Sequence, residues 1–280
     1  RPHRPMHNHN NPPMEIYDRN TIKAIIDAAL RLAPRERAER NRRGRPPKYK
    51  LWQLAALCAL KALLNLTFKR TAELAPFIVG ASPSPATIHR AWIRLKNWAM
   101  EAAAKIAGSP DLLVADSTGI PHRRKGRHFK VHFLYDIRSD IVLAATATPG
   151  STADIQGYRA LLKFVPERSA VLADSAYFGR GIVEETLERN ALLLARPRRP
   201  SRRGRRRGWA AKYERVFEAL RHLYRHRGEG ERFCSRLKAR LRRSLRYALI
   251  ESADAFVKWL SLAMNIERVA IGKTGVCLGI

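Results

Sequence analysis

Between residues 112 and 195 short apolar runs alternate with helical segments in an order that few folds accept. Residues 112–115, 129–135 and 141–148 read as three consecutive strands, the last two joined by the turn Asp136-Ile137-Arg138-Ser139-Asp140. A helical stretch over 151–164 follows, with Ile155, Tyr158, Leu161 and Leu162 on its apolar face and Ser151 or Thr152 placed to cap it. A strand at 170–173, a helix at 181–189 and a strand at 191–195 come next, and then more helix. Three hairpin-like strands followed by alternation predict an α/β fold, a mixed five-stranded sheet flanked by helices.

Two of these runs stop at an acid: Leu-Leu-Val-Ala precedes Asp116, and Ala-Val-Leu-Ala precedes Asp174. A carboxylate at the end of a buried strand is desolvated at a cost unless a cation shares its site. Alone, either would be a hydrogen-bonded structural Asp. A third acid alters that balance. On a helical wheel Tyr224, Arg227 and Lys238 fall within about 40° of Glu231, while Glu229 points away. The plain alternative is an i,i+4 salt bridge from Arg227 to Glu231. Gly228 and Gly230 disfavour helix, so the helix is expected to begin near Glu231, with Phe233, Leu237, Leu241 and Leu245 inward and Arg236, Arg240 and Arg243 outward. Three carboxylates without His or Cys suit a hard ion such as Mg²⁺, which also binds phosphate. A pair of such ions activates a nucleophile and neutralises the leaving oxygen of a phosphodiester.

Other acids and the histidines rank lower. Asp136 and Asp140 sit in a turn, where Asp is common, and Asp154 falls in the first turn of a helix, where it complements the dipole. His122, His128 and His132 lie in or beside the basic stretch Arg123, Arg124, Lys125 and Arg127, which favours DNA contact or solvation over a metal cluster.

Lys and Arg number 54 against 24 Asp and Glu, a net charge of +30, and such an excess calls for a polyanionic partner, nucleic acid above all. A membrane is excluded as a spanned medium: the longest apolar run, residues 51–66, is broken by Gln53, Lys61 and Asn65 and is too short. Cys58, Cys234 and Cys277 are isolated, which argues against a disulfide framework or structural zinc and fits a reducing cytosol. No signal peptide is visible, so a cytoplasmic, nucleoid-associated protein is expected.

The chain divides into a flexible basic arm with a short helix (1–44), a helical region (45–107), a catalytic domain (108–270) and a tail (271–280). Within the helical region, segments over 51–64 and 71–79 precede a third helix that Ser84 caps and Pro85 opens. Ile88, Trp92 and Leu95 form its apolar stripe; Thr87, Arg90, Arg94 and Asn97 share the other side. This is a helix-turn-helix-like pattern that predicts DNA binding. Residues 34–50 suit a phosphate backbone or minor groove. A basic loop at 197–215, including Arg202, Arg203, Arg205, Arg206 and Arg207, is expected to clamp a phosphate chain.

Asp116-Ser117-Thr118-Gly119, Asp174-Ser175-Ala176-Tyr177-Phe178-Gly179, and Tyr224, Arg227, Glu231 and Lys238 at intervals of two, three and six intervening residues together resemble the DDE transposases of insertion-sequence families four and five. The last block is the specific one. The resemblance covers roughly residues 110–270 and implies a ribonuclease-H-like core in which Asp116, Asp174 and Glu231 hold Mg²⁺, with Mn²⁺ able to substitute. It implies that Tyr224, Arg227 and Lys238 handle DNA ends. It implies a transposase that cuts double-stranded DNA at the element's terminal repeats, joins the 3′ ends to target DNA, and works as a homodimer assembled on DNA. The segment between the last strand and Glu231 is short and basic, where some members carry a strand-rich insertion, so their end-processing chemistry does not carry over. The alternatives are a DNA-binding regulator that keeps the fold without cutting, and an RNA-binding or chromatin protein explained by charge alone.

Overall fold

A computed structural model describes residues 19–33, 47–121, 128–197, 208–242, 249–270 and 272. Its middle strand, β1 (Leu112–Pro121), pairs antiparallel with β2 (His128–Asp136), which pairs antiparallel with β3 (Ile141–Pro149). On its other side β1 runs parallel to β4 (Ala170–Ala173), and β4 to β5 (Leu192–Ala195). The order β3-β2-β1-β4-β5 is the mixed five-stranded, ribonuclease-H-like sheet that the sequence predicts.

β1 departs from expectation in length. The sequence reading ends it before Asp116, but pairing with β2 continues from Leu113↔Asp136 to Pro121↔His128, so Asp116 lies within a strand. A ladder partner holds Asp116-Ser117-Thr118-Gly119 extended, and no apolar pattern announces it. β4, by contrast, does stop before its acid. Its register with β1 (Leu112↔Ala170, Leu113↔Val171, Val114↔Leu172), continued two residues further, brings Asp116 level with Asp174.

Helices precede and cover the sheet. α1 (Arg19–Leu32), α2 (Leu51–Leu63), α3 (Phe68–Val79), α4 (Pro85–Arg94) and α5 (Lys96–Ala107) come before β1. α3 ends at Gly80, whose φ of 63° suits glycine. The Ser84 side chain accepts the Thr87 N–H at 3.2 Å and so caps α4, with Pro85 opening it as predicted. The expected third helix is in fact two. Leu95 (φ −96°, ψ 4°) interrupts it, and Asn97 belongs to α5, where it accepts a hydrogen bond from Lys258. α5 escapes the sequence reading because its buried face is mostly alanine (Ala99, Ala102, Ala103), which carries little hydrophobic contrast.

α6 (Asp154–Leu161) follows β3, and its N-cap is Ala153 rather than Ser151 or Thr152. α7 (Arg180–Leu187) links β4 to β5. After β5, residues 208–215 are not loop: α8 (Gly208–Ala219) begins there because Tyr213 and Phe217 are buried. The Tyr213 hydroxyl accepts the Ala195 N–H at 2.8 Å, which ties α8 to the end of β5. α9 (Arg221–Tyr224), a 3₁₀ turn (Arg225–Arg227) and α10 (Gly228–Arg242) complete the cover, so the helix carrying Glu231 starts three residues earlier than predicted.

α11 (Ile250–Ala270) packs against β3 and against α1, α2 and α5. Trp259 donates its indole N–H to the Trp92 carbonyl at 3.0 Å and stacks on the Trp92 ring with centroids 6.1 Å apart. The Asn265 side chain accepts the Val142 N–H and donates to the carbonyls of Val142 and Ala103. Residues 1–18, 34–46, 122–127, 198–207 and 243–248 lie outside the described residues, as do 271 and 273–280. The readings of the basic arm, His122, Arg123, Arg124, Lys125, Arg127, Arg202, Arg203, Arg205, Arg206, Arg207, Arg243, Leu245 and Cys277 fall there.

Candidate active site

Side chains alternate along a strand. Val114 and Asp116 therefore face one side of the sheet, and Ala115 and Ser117 the other. α10 covers the first side and α6 the second. Asp116 and Asp174, level on neighbouring parallel strands, stand about one strand spacing apart, roughly 4.8 Å between backbones. Burial pushes the Asp116 carboxyl above its ordinary value. The Ser117 N–H and the Arg227 guanidinium pull it back, and the negative Asp174 adds to the rise. Asp116 Oδ1 accepts the Ser117 N–H at 2.7 Å. Asp174 caps the 3₁₀ turn Ser175–Tyr177, its Oδ1 accepting the Ala176 N–H at 2.7 Å.

α10 reaches this pair through a residue without a side chain. A Cβ on Gly230 would sit 2.5 Å from Val114 Cγ1, so only glycine lets the first turn lie on β1, with Asp116 Oδ2 3.9 Å away. One turn on, the Cys234 thiol points at Asp116 Oδ2 across 3.7 Å. Burial first, and the facing Asp116 second, push it up to about 12. Phe233 stacks on Tyr135 at 4.5 Å and meets Phe133 edge-on at 4.9 Å.

The far half of α10 is fixed by charge. Arg236, predicted to face out, turns in to Asp140 and the Tyr135 hydroxyl, and Arg268 from α11 joins the same carboxylate. Arg240, also predicted outward, pairs with Glu267 at 2.7 Å. Both find acids on other elements, which a helical wheel of one segment does not contain. Asp140 is thus more than a turn residue. Burial opposes its ionisation, but the Arg236 hydrogen bonds and the Tyr135 hydroxyl outweigh it and hold its carboxyl below the ordinary range.

Glu231 follows Gly230 directly. Its carboxylate accepts Arg227 Nη2 at 2.8 Å, and its side chain is 66% exposed. Arg227 stands in the field of Asp116, and Tyr224, half-buried against Phe217, in that of Asp174 and Arg227. Lys238, exposed, lies one turn past Cys234 and acts on its thiol. Asp116, Asp174, Tyr224 and Arg227 are therefore linked through their fields, Glu231 joins them through Arg227, and Lys238 through Cys234. Arg90 and Arg94 are not among them; they are exposed on α4 in the helical region.

The two aspartates fit a divalent cation in chemistry, being hard oxygen donors whose mutual repulsion a positive ion would relieve. Glu231 is engaged with Arg227, whose guanidinium lies in the field of Asp116. Among the described residues no three His, Cys, Asp or Glu side chains are arranged to hold a metal ion. The sequence reading missed Gly230 and Cys234 as parts of this site. In the sequence Gly230 reads only as a weak helix former, because its neighbour Val114 lies far off in the chain.

A central strand flanked by antiparallel and parallel partners, with an acid inside it level with another just past its parallel neighbour and a helix laid over that strand, defines the ribonuclease-H-like class. A family model described as "Transposase DDE domain" matches residues 107–266, and the chain belongs to that family. Among solved structures the chain is similar to the Mos1 transposase paired-end complex with left transposon end, at 14% identity and a TM-score of 0.24, covering 75% of this chain and 83% of that one. No curated protein matches it. Among the described residues no helix is long and apolar enough to cross a membrane.

Proposed function

We propose that the chain is a cut-and-join DNA transposase of the insertion-sequence family four and five type, and that Asp116, Asp174 and Glu231 are its catalytic carboxylates. One observation supports the reading: two acids come level on adjacent strands, and Gly230, the residue before Glu231, packs against the strand that bears one of them. Asp116 and Asp174 would hold a divalent cation, Mg²⁺ or in its place Mn²⁺, and Glu231 would join them in exchange for Arg227. When bound, the cation supplies neutralisation of the phosphate oxygens and activation of the attacking oxygen.

The chain's own part is binding and alignment. Tyr224, Arg227 and Lys238 surround the acids and would hold the phosphates next to the scissile bond. Arg90 and Arg94 on α4, with Arg202, Arg203, Arg205, Arg206 and Arg207, would bind the backbone of the terminal repeats and target DNA. Residues 45–107 act as the DNA-binding domain and 108–270 as the catalytic domain of a homodimer assembled on DNA, in a cytoplasmic, nucleoid-associated protein. Hydrolysis breaks the P–O3′ bond and frees a 3′ hydroxyl. That hydroxyl then attacks a target phosphate, so one phosphodiester replaces another and no energy is stored in the protein. Alignment and charge complementarity carry the rate.

The Arg227–Glu231 pair favours a second reading, a regulator that binds DNA without cutting. Incubating the full chain with supercoiled plasmid and Mg²⁺ separates the two. The transposase reading expects nicked product from the wild type and none from Asp116→Asn. The regulator shifts the plasmid's mobility, leaves it uncut, and is indifferent to Asp116→Asn.

A further inference from the structure

The far side of β1 carries a second polar cluster that the catalytic reading does not use. Ser117 points away from α10, and its hydroxyl donates to Asp154 Oδ1 at 2.5 Å. Lys130 Nζ reaches the same oxygen at 3.0 Å and the Thr152 carbonyl at 3.3 Å. His132 lies beneath, with Nδ1 3.8 Å from Asp154 and Nε2 2.8 Å from the Thr148 hydroxyl. Gly157 of α6 lies against that ring with no room for a Cβ, so Asp154, three residues earlier, is held at a fixed height over β1. Burial lowers the His132 pKa to about 4, which leaves Lys130 as the cation that balances Asp154.

This cluster touches the acid site at one residue. Ser117 bonds Asp154 with its side chain and Asp116 Oδ1 with its backbone N–H. Beside both lies Tyr177, 1% exposed, its hydroxyl turned to the Ser117 side chain and within the fields of Asp154, Asp116 and Asp174. A strand residue whose N–H turns to the carboxylate of the residue before it needs its own orientation fixed, and here a charge-assisted bond from the opposite face does so. We propose that Asp154 is a positioning residue for Asp116, acting through Ser117, with Lys130 holding the Asp154 carboxylate in place. The sequence reading assigned Asp154 only to the helix dipole.

The role in catalysis rests on the transposase reading above; the tether itself does not. In the metal-free full chain, Asp154→Asn is expected to move the Ser117 amide proton upfield in a ¹⁵N correlation spectrum, as Lys130→Met does more weakly. With Mg²⁺ and plasmid, Asp154→Asn and Ser117→Ala are each expected to lower the nicking rate by about 10- to 100-fold, the usual range for groups that orient a ligand. The double variant should fall no further than the worse single, because both cut one path. An unchanged Ser117 amide in Asp154→Asn, or losses that multiply in the double variant, would overturn the proposal. A fully active Asp116→Asn would sink the transposase reading instead, and the amide shift would still decide whether the tether exists. Thermal melting of each variant identifies one that fails to fold. In that case Asp154→Glu, which keeps the charge one methylene out, serves in its place; its Ser117 amide must move upfield of wild type, and an unmoved amide would overturn the proposal.

Discussion

The acid site is assembled from a sheet half and a helix half, and the two are built differently. Asp116 is part of the central strand, paired along β2 and bound by its neighbour's N–H. Asp174 caps a turn directly after β4. Glu231 stands in the first turn of α10, exposed and held by a single arginine. The helix is secured downstream, at Phe233, Arg236 and Arg240, while its first turn meets β1 through a glycine. The sheet half thus fixes two charges that repel each other, and the helix half carries a third, exposed and paired with Arg227.

The sharpest test of that contrast is charge removal on each half. Asp116→Asn is expected to lower Mg²⁺-dependent nicking by about a thousandfold, the scale of losing one preorganised electrostatic group. It should also raise the urea midpoint, because the folded protein loses a buried charge facing Asp174. The sign follows from the raised folded carboxyl, whose ionisation opposes folding once the pH exceeds the ordinary carboxylate range. Glu231→Gln is expected to lose activity with no gain in midpoint. An equal gain in both would erase the distinction.

Next in size is the seam between the halves. Gly230→Ala adds a good helix former, worth about 1 kcal/mol by propensity, yet the new methyl meets Val114. A net loss of about 1–3 kcal/mol in urea unfolding is expected, the scale of overpacking. Stabilisation would mean that α10 does not sit on β1.

A smaller effect tests the downstream anchor. Asp140→Asn is expected to cost about 1–2 kcal/mol, since Arg236 and Arg268 lose their shared acceptor. Because the folded Asp140 carboxyl lies below its ordinary range, its contribution is present above that range and is lost as pH falls through the folded value. The acid limb of a stability–pH curve should therefore flatten in the variant.

The smallest effect lies away from the acids. Arg90→Ala and Arg94→Ala are each expected to reduce the slope of log DNA affinity against log salt by about 1, with nicking at saturating protein unchanged. A salt-independent wild type would remove phosphate contact from α4 altogether.

The succession of strands and helices was legible because apolar runs of strand length recur at regular intervals, and Asp174 because its strand stops before it. What escaped depends on partners distant in sequence. β1 runs past Asp116 only because β2 is there to pair with it, and the level placement of Asp116 and Asp174 is a property of register. Gly230 reads as a defect until Val114 is known to lie under it. Arg236 and Arg240 read as solvent-facing until Asp140 and Glu267 come near. Asp154 reads as a helix-end charge because its tie to Ser117 crosses from α6 to β1.

One consequence follows from the position of α11. This helix, the last of the described ones to be synthesised, fills the space between α1, α2 and α5, with Trp259 seated on Trp92. While the ribosome is still translating the sheet, the earlier helices therefore lack the wall that buries their tryptophans. The helical region that precedes the sheet cannot reach its final packing until α11 has left the exit tunnel.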